Sequence, residues 1–132
     1  MKKENSIIIG SGVIGSYLAK LLVAKKHKII VTSRKVKKNY LNYNKLNIDK
    51  KVIFEKLDVL KKKDILKIIR KYSPDNIFYF SGQSSLTKSI KLKKTTNDSN
   101  YIGAKKFLEI LYRYKIKSKF YKASKNFYCN IK

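Results

Sequence analysis

The chain has 132 residues, enough for one domain with a buried core and too few for a nucleotide-binding half plus a separate substrate domain. Its single cysteine, Cys129, excludes an internal disulfide, and we expect a reducing, cytoplasmic setting. No segment fits a signal peptide or a membrane span, since only three consecutive aliphatic residues precede Gly10.

The net charge of +25 comes from 33 basic against eight acidic residues. Lysine outnumbers arginine and is dispersed, with its longest run at residues 61–63. Lysine, asparagine, isoleucine and tyrosine are encoded by A/T-rich codons, which accounts for the excess as compositional drift. A functional basic face that binds nucleic acid or another polyanion stays as the alternative, although phosphate recognition more often recruits clustered charge and arginine.

Apolar runs and helical periodicity alternate along the chain. The predicted strands are residues 7–10, 28–32, 52–57, 77–80 and 119–123. The predicted helices are residues 13–26, 64–72 and 101–114, and the predicted loops are residues 39–47 and 81–93. This alternation predicts an α/β fold in which a parallel sheet of about five strands is covered by helices on both faces.

Each predicted helix carries apolar residues three or four positions apart, which we expect to face the sheet. They are Ile14, Leu18, Leu21 and Leu22 in the first helix, Ile65, Ile68, Ile69 and Tyr72 in the second, and Ala104, Phe107, Leu108 and Leu111 in the third.

A glycine loop at residues 10–15 separates the first strand from the first helix. In a dinucleotide-binding loop, Gly10 would permit the sharp turn, Gly12 would let the backbone approach a pyrophosphate, and Gly15 would let helix and strand pack closely. The helix N-terminus that follows favours an anion. The sequence therefore predicts a Rossmann-like, doubly wound dinucleotide-binding domain over residues 1–132.

The end of the second strand indicates which dinucleotide is bound. An NAD site usually has an acidic residue there, whereas this chain has no acid between Glu4 and Asp49 and carries Ser33 and Arg34 instead. A guanidinium can pair with a 2′-phosphate, so we predict NADP as the cofactor. The alternative is that Arg34 is one more surface cation.

Two further strand ends could line the same site. Asp58 follows the third strand, where it could accept from an adenine amine or serve as the N-cap of the next helix. The segment from Phe80 to Ser84 follows the fourth strand, and ligands of open α/β sheets bind at the carboxyl ends of strands.

Four stretches resemble the extended short-chain dehydrogenase/reductases, most closely the GDP-mannose 4,6-dehydratase family. They are residues 15–22, 32–34, 81–85 and 100–109, so the resemblance covers nearly the whole chain. It implies NADP-dependent conversion of GDP-mannose to its 4-keto-6-deoxy derivative. The residues that it implies as cofactor contacts are Gly10, Ser11, Gly12, Val13, Ile14, Gly15, Ser33, Arg34, Asp58, Val59, Phe80, Ser81, Gly82, Gln83, Ser84 and Thr95.

The departures from the family pattern concern catalysis. The glycine loop is one residue shorter than the family's Gly-x-x-Gly-x-x-Gly. After Ser124 the family's Ser/Thr-x-Glu segment is missing, with Lys125 and Phe127 in the places of the hydroxyl and the carboxylate. The catalytic Tyr-x-x-x-Lys pair is absent as well, since Tyr121 and Lys125 fall in the predicted strand and turn.

We therefore predict no catalytic and no metal-binding residues, and a marginally stable, truncated or frameshifted product that retains the cofactor half. A sugar nucleotide would be the partner of the whole family enzyme, while a homo-oligomer, a nucleic-acid partner and membrane association are not expected of this chain. The alternatives are half of an NAD-dependent sugar-nucleotide epimerase or dehydratase and a basic, non-enzymatic binding module.

Overall fold

A computed structural model describes residues 3–35, 40–80 and 102–122. These form a five-stranded parallel sheet with the strand order β3-β2-β1-β4-β5. The strands are β1 (Asn5–Ile9), β2 (Lys28–Ser33), β3 (Ile53–Lys56), β4 (Asn76–Tyr79) and β5 (Lys119–Lys122). The helices are α1 (Val13–Ala24), α2 (Leu41–Lys45), α3 (Lys62–Tyr72) and α4 (Gly103–Arg113). The predicted fold class, α/β and Rossmann-like, is confirmed.

The sheet runs outward in both directions from β1. Its register with β2 pairs Ile7 with Ile30, and its register with β4 pairs Ile7 with Ile77. All three side chains are fully buried, because helices cover both faces of a parallel sheet. The aliphatic runs that predicted these strands therefore form the centre of the core.

The two faces of the sheet bury separate apolar clusters. Helices α3 and α4 cover one face, where Ile65, Phe107 and Tyr79 pack together. Helices α1 and α2 cover the other face, where Ala19, Tyr43 and Ile8 belong to one cluster. The chain thus winds to one side through β1, β2 and β3 and to the other through β4 and β5, which makes the sheet doubly wound.

The prediction of the buried face holds fully for α3, whose residues Ile65, Ile68, Ile69 and Tyr72 are all buried. It is wrong for Leu108 of α4, which is 50 % exposed.

The buried face predicted for α1 holds for Leu22, which is buried, and for Leu18, which is partly buried against the same cluster, but it is wrong for Ile14 and Leu21. Ile14 and Leu21 are 67 % and 62 % exposed, and the buried residues of this helix are Gly15, Ser16, Ala19 and Leu22. Small residues on the inner face let the helix lie close to the sheet, so the larger apolar side chains are turned outward. A periodic pattern shows that a face exists but does not show which of two apolar stripes meets the sheet.

The loop predicted over residues 39–47 is wrong where α2 forms. Two buried tyrosines, Tyr40 and Tyr43, hold this five-residue helix against Phe54 of β3 through ring contacts. A helix this short spans little more than one turn, so it has no periodic pattern that the sequence could reveal.

An ion pair and a hydrogen bond join β3 to α3. Lys71 Nζ lies 2.8 Å from Glu55 Oε2, and the Tyr72 hydroxyl donates to the same oxygen. The hydrogen bond from Lys71, followed by that from Tyr72, lowers the pKa of Glu55 below its ordinary value. The ionised form of Glu55 is therefore favoured by the folded state.

Replacing Glu55 by glutamine is expected to reduce the fall in the free energy of unfolding as the pH becomes acidic. A carboxyl whose pKa is lowered by folding stabilises the protein above its unfolded pKa of about 4.3, and that contribution is lost as the pH falls through the folded value. Urea unfolding at about pH 7 and about pH 3 would measure the difference. The control is Glu109→Gln, at an exposed position of α4. An equal acid dependence in both variants would contradict the expectation.

Candidate functional site

The carboxyl ends of β1, β2, β3 and β4 lie along one edge of the sheet, because the strands are parallel. β1 and β4 are neighbours in the sheet, although two strands separate them in the chain. The connection that follows β1 leads to one side of the sheet, and the connection that follows β4 leads to the other side. Ligands of doubly wound sheets bind in the crevice at such a switch point. The glycine loop leaves β1 at that point.

Three glycines shape this loop in different ways. Gly10 has a φ of 109°, a left-handed conformation that L side chains rarely adopt. A Cβ at Gly15 would lie 3.0 Å from the carbonyl oxygen of Gly10 and 3.2 Å from Ile8 Cγ2. A Cβ at Gly12 would have no atom of the described residues within 4 Å. Gly10 and Gly15 are therefore required by the loop itself, whereas Gly12 borders open space.

The first turn of α1 is suited to an anion. Gly12 is its N-cap, no side chain caps the helix, and the first turn contains no acidic residue. The N–H groups of a first turn have no acceptor within their helix, and the macrodipole adds partial positive charge there. A helix start with these features can accept an anion, and contact with the pyrophosphate of a dinucleotide stays a prediction.

The turn after β2 carries the residues predicted to select the cofactor. Arg34 is exposed just beyond the strand. The Ser33 hydroxyl donates to the carbonyl oxygen of Lys35 at 2.7 Å, and Ser33 Oγ lies 3.1 Å from the Tyr40 hydroxyl oxygen. Tyr40 is not among the residues predicted for the site, since it lies in the segment predicted as a loop.

Asp58 is not the N-cap of α3, a role that Lys61 occupies without a side-chain hydrogen bond. Instead, Asp58 Oδ1 accepts from the backbone N–H of Leu60 at 3.0 Å, and Asp64 Oδ2 accepts from the backbone N–H of Asp58 at 3.1 Å. These bonds hold the turn after β3. Contact between Asp58 and an adenine stays a prediction.

The side chain of Val59 belongs to the apolar core beneath α4. A Cβ on Gly103 would lie 2.7 Å from Val59 Cγ2, so these residues pack closely. Any cofactor contact by Val59 would therefore use its backbone.

Phe80 extends the pairing of β4 with β1, since its N–H donates to the carbonyl oxygen of Ile9 at 2.8 Å. It is half-buried at the switch point. The remaining predicted contacts, Ser81, Gly82, Gln83, Ser84 and Thr95, lie outside the described residues.

The hydroxyl of Tyr43 is buried and has no hydrogen-bond partner among the described residues. Burial, followed by the neighbouring Tyr40, raises the pKa of Tyr43. A Cβ on Gly15 would lie 3.7 Å from this hydroxyl, so Tyr43 packs behind the glycine loop.

A polar cluster lies at the amino edge of the sheet, opposite the glycine loop. Ser6 Oγ lies 3.0 Å from His27 Nδ1, and His27 Nε2 lies 3.4 Å from Glu4 Oε2. Asn76 Nδ2 donates to Ser6 Oγ at 3.2 Å. Serine, histidine and glutamate in this order suggest a hydrolase triad. Ser6 is fully buried, however, so a substrate cannot reach it, and the cluster joins β1, β2 and β4 instead.

The described residues contain no cluster of three potential metal ligands. In the same part of the chain, no helix is long and apolar enough to cross a membrane.

The family model for GDP-mannose 4,6 dehydratase matches residues 7–127. The chain belongs to this family. The match extends past Lys125, where the sequence reasoning placed the end of the similarity.

The relatives of this dehydratase-family chain are considerably longer. It is 25% identical over 107 residues to the dTDP-glucose 4,6-dehydratase of Haemophilus influenzae, a match that spans 80% of this chain and 32% of the relative. The chain therefore spans about a third of the length of that curated relative.

Two solved structures share the fold. The UDP-glucose 4-epimerase of Brucella ovis, in complex with NAD, matches with a TM-score of 0.75 and 20% identity over 92% of this chain and 35% of the epimerase. The Thermotoga maritima UDP-glucose 4-epimerase with UDP-glucose matches with a TM-score of 0.76 and 22% identity over 91% of this chain and 37% of that protein. This chain thus shares its fold with part of each of these two UDP-glucose 4-epimerases.

Proposed function

We propose that this dehydratase-family chain binds NADP at the carboxyl edge of its sheet and corresponds to the cofactor-binding part of a GDP-mannose 4,6-dehydratase. The observation that carries the choice of NADP is Arg34 at the end of β2, with no carboxylate between Glu4 and Asp49. A ribose 2′-hydroxyl would find no carboxylate acceptor in that stretch, whereas a 2′-phosphate would find a guanidinium.

The remaining parts of the cofactor fit the same edge. The pyrophosphate would lie at the first turn of α1, against Gly12, and the adenine half would lie towards β2 and Asp58. The nicotinamide, when bound, supplies the acceptor for a hydride from the sugar. We propose GDP-mannose as the sugar nucleotide, a choice that rests on the family match alone.

Thermal unfolding with NADP, with NAD and without nucleotide tests the proposal. A ligand at 100 times its Kd stabilises the folded state by about 2.7 kcal/mol. We expect NADP to raise Tm more than NAD at equal concentration, and we expect Arg34→Ala to remove the difference. A lost hydrogen bond to a charged group corresponds to about tenfold or more in Kd.

The control for Arg34→Ala is Arg113→Ala, at an exposed position in the last turn of α4. It should preserve the preference for NADP. Stronger stabilisation by NAD would contradict the choice of cofactor and favour an epimerase-type site. No shift with either nucleotide, combined with salt-sensitive oligonucleotide binding, would favour the basic binding module.

A further inference from the structure

The ring of Tyr40 is fixed beneath the turn that follows β2. Tyr40 is 7% exposed, and its ring stacks on Phe54 with the centroids 4.0 Å apart and the planes within 3°. Tyr43 meets Tyr40 edge-on at 6.2 Å. Because offset or edge contacts on two sides leave the ring little freedom, the position of its hydroxyl is determined by β3 and α2.

The directions of two hydrogen bonds follow from the number of hydrogens available. A serine hydroxyl has one hydrogen, and that of Ser33 is donated to the carbonyl oxygen of Lys35. With that hydrogen on Lys35, the 3.1 Å bond between Ser33 Oγ and the Tyr40 hydroxyl is one that the tyrosine donates. A chain of hydrogen bonds thus runs from Tyr40 through Ser33 to Lys35, and Arg34 lies between the last two residues.

The same count changes the role expected of Ser33. A phosphate only accepts hydrogen bonds, and the one hydrogen of the Ser33 hydroxyl is already committed to Lys35. In this arrangement Ser33 cannot donate to a 2′-phosphate. Arg34 is then the group at this turn that meets the phosphate, and its placement depends on the backbone that Ser33 and Lys35 hold.

We infer that Tyr40 is a positioning residue for NADP selectivity: its hydroxyl orders the Ser33–Lys35 turn so that Arg34 meets the 2′-phosphate. The inference rests on the proposed function and adds a residue that does not itself touch the cofactor. Because only NADP carries the 2′-phosphate, the Tyr40 hydroxyl should affect the binding of NADP and not the binding of NAD.

Titration of Tyr40→Phe with NADP and with NAD tests the inference. Phenylalanine keeps the stacked ring and removes the hydroxyl. We expect the Kd for NADP to rise about three- to tenfold, the range of one net hydrogen bond, and the Kd for NAD to stay within about twofold. The matched control is Tyr43→Phe, which removes a hydroxyl without a partner from the same aromatic cluster and should leave the ratio of the two Kd values unchanged.

A double-mutant cycle adds a readout that general destabilisation would not produce. If Tyr40 acts through Ser33, Tyr40→Phe with Ser33→Ala should weaken NADP binding no more than Ser33→Ala alone. Additive losses, or equal losses for NADP and NAD, would overturn the inference. A ratio of the two Kd values that is the same in Tyr40→Phe as in the wild type would also overturn the inference while leaving the proposed function intact. A wild-type chain without preference for NADP would overturn both.

Discussion

Alanine at Gly12 is expected to abolish dinucleotide binding and leave the fold intact, whereas alanine at Gly15 is expected to damage the fold. Within the part of the chain that the structure describes, a Cβ at Gly12 meets no atom within 4 Å, so it would project into the space proposed for the pyrophosphate. A Cβ at Gly15 would press on the Gly10 carbonyl oxygen at 3.0 Å and on Ile8 Cγ2 at 3.2 Å. The carbonyl belongs to the backbone and cannot rotate away as a flexible side chain would.

The two substitutions separate binding from stability. For Gly12→Ala we expect a change of less than about 1 kcal/mol in the free energy of unfolding, because the position is a helix N-cap with an ordinary φ of −77°. For Gly15→Ala we expect a loss of about 1–3 kcal/mol, the usual cost of overpacking. Urea unfolding measures the free energy of unfolding of both variants, and calorimetric titration with NADP measures the affinity that Gly12→Ala is expected to lose.

The outcomes are distinct for each position. Unchanged NADP affinity in Gly12→Ala would place the pyrophosphate elsewhere. Unchanged stability in Gly15→Ala would show that the loop and α1 can separate without cost, contrary to the close approach of the helix to β1.

The glycine loop and α3 could be predicted because their signals are local. The strand before Gly10 and the periodic residues of α3 each form a pattern within about a dozen consecutive residues, and such a pattern can be recognised without knowledge of the rest of the chain. The exposure of Ile14 and Leu21 in α1 could not be predicted, since both are as apolar as the residues that a sheet normally buries. Small residues such as Ala19 allow α1 to lie close to the sheet. This short distance determines which of the two apolar stripes of the helix is buried.

The candidate site shows the same division. The sequence placed Arg34 at the end of β2, because strand ends are readable from composition. It did not place Tyr40, whose role depends on a hydroxyl that reaches back seven residues to Ser33 and on a ring that stacks on Phe54. Such contacts join segments that are separate in the sequence, and a periodic pattern within one segment does not reveal them.

Alanine at Gly103 is expected to destabilise the fold although it should favour the helix. In an unobstructed helical position, alanine in place of glycine stabilises by about 0.8–1 kcal/mol. Here a Cβ would overlap the Tyr79 hydroxyl and lie 2.7 Å from Val59 Cγ2. Both residues are nearly fully buried, so neither can move without disturbing the core. The crowding should reverse the sign and give a net loss of about 1–3 kcal/mol.

The sign of the change in the free energy of unfolding tests whether α4 lies as close to the sheet as the structure indicates. Chemical denaturation of Gly103→Ala, Tyr79→Phe and the double variant would measure it. Because the Tyr79 hydroxyl is the nearest obstacle, the double variant should be more stable than the sum of the single changes predicts. A net gain in Gly103→Ala would mean that α4 stands farther from β4. Val59 and Tyr79 both lie near the carboxyl edge, so the spacing set by Gly103 also supports the turns that would hold the cofactor.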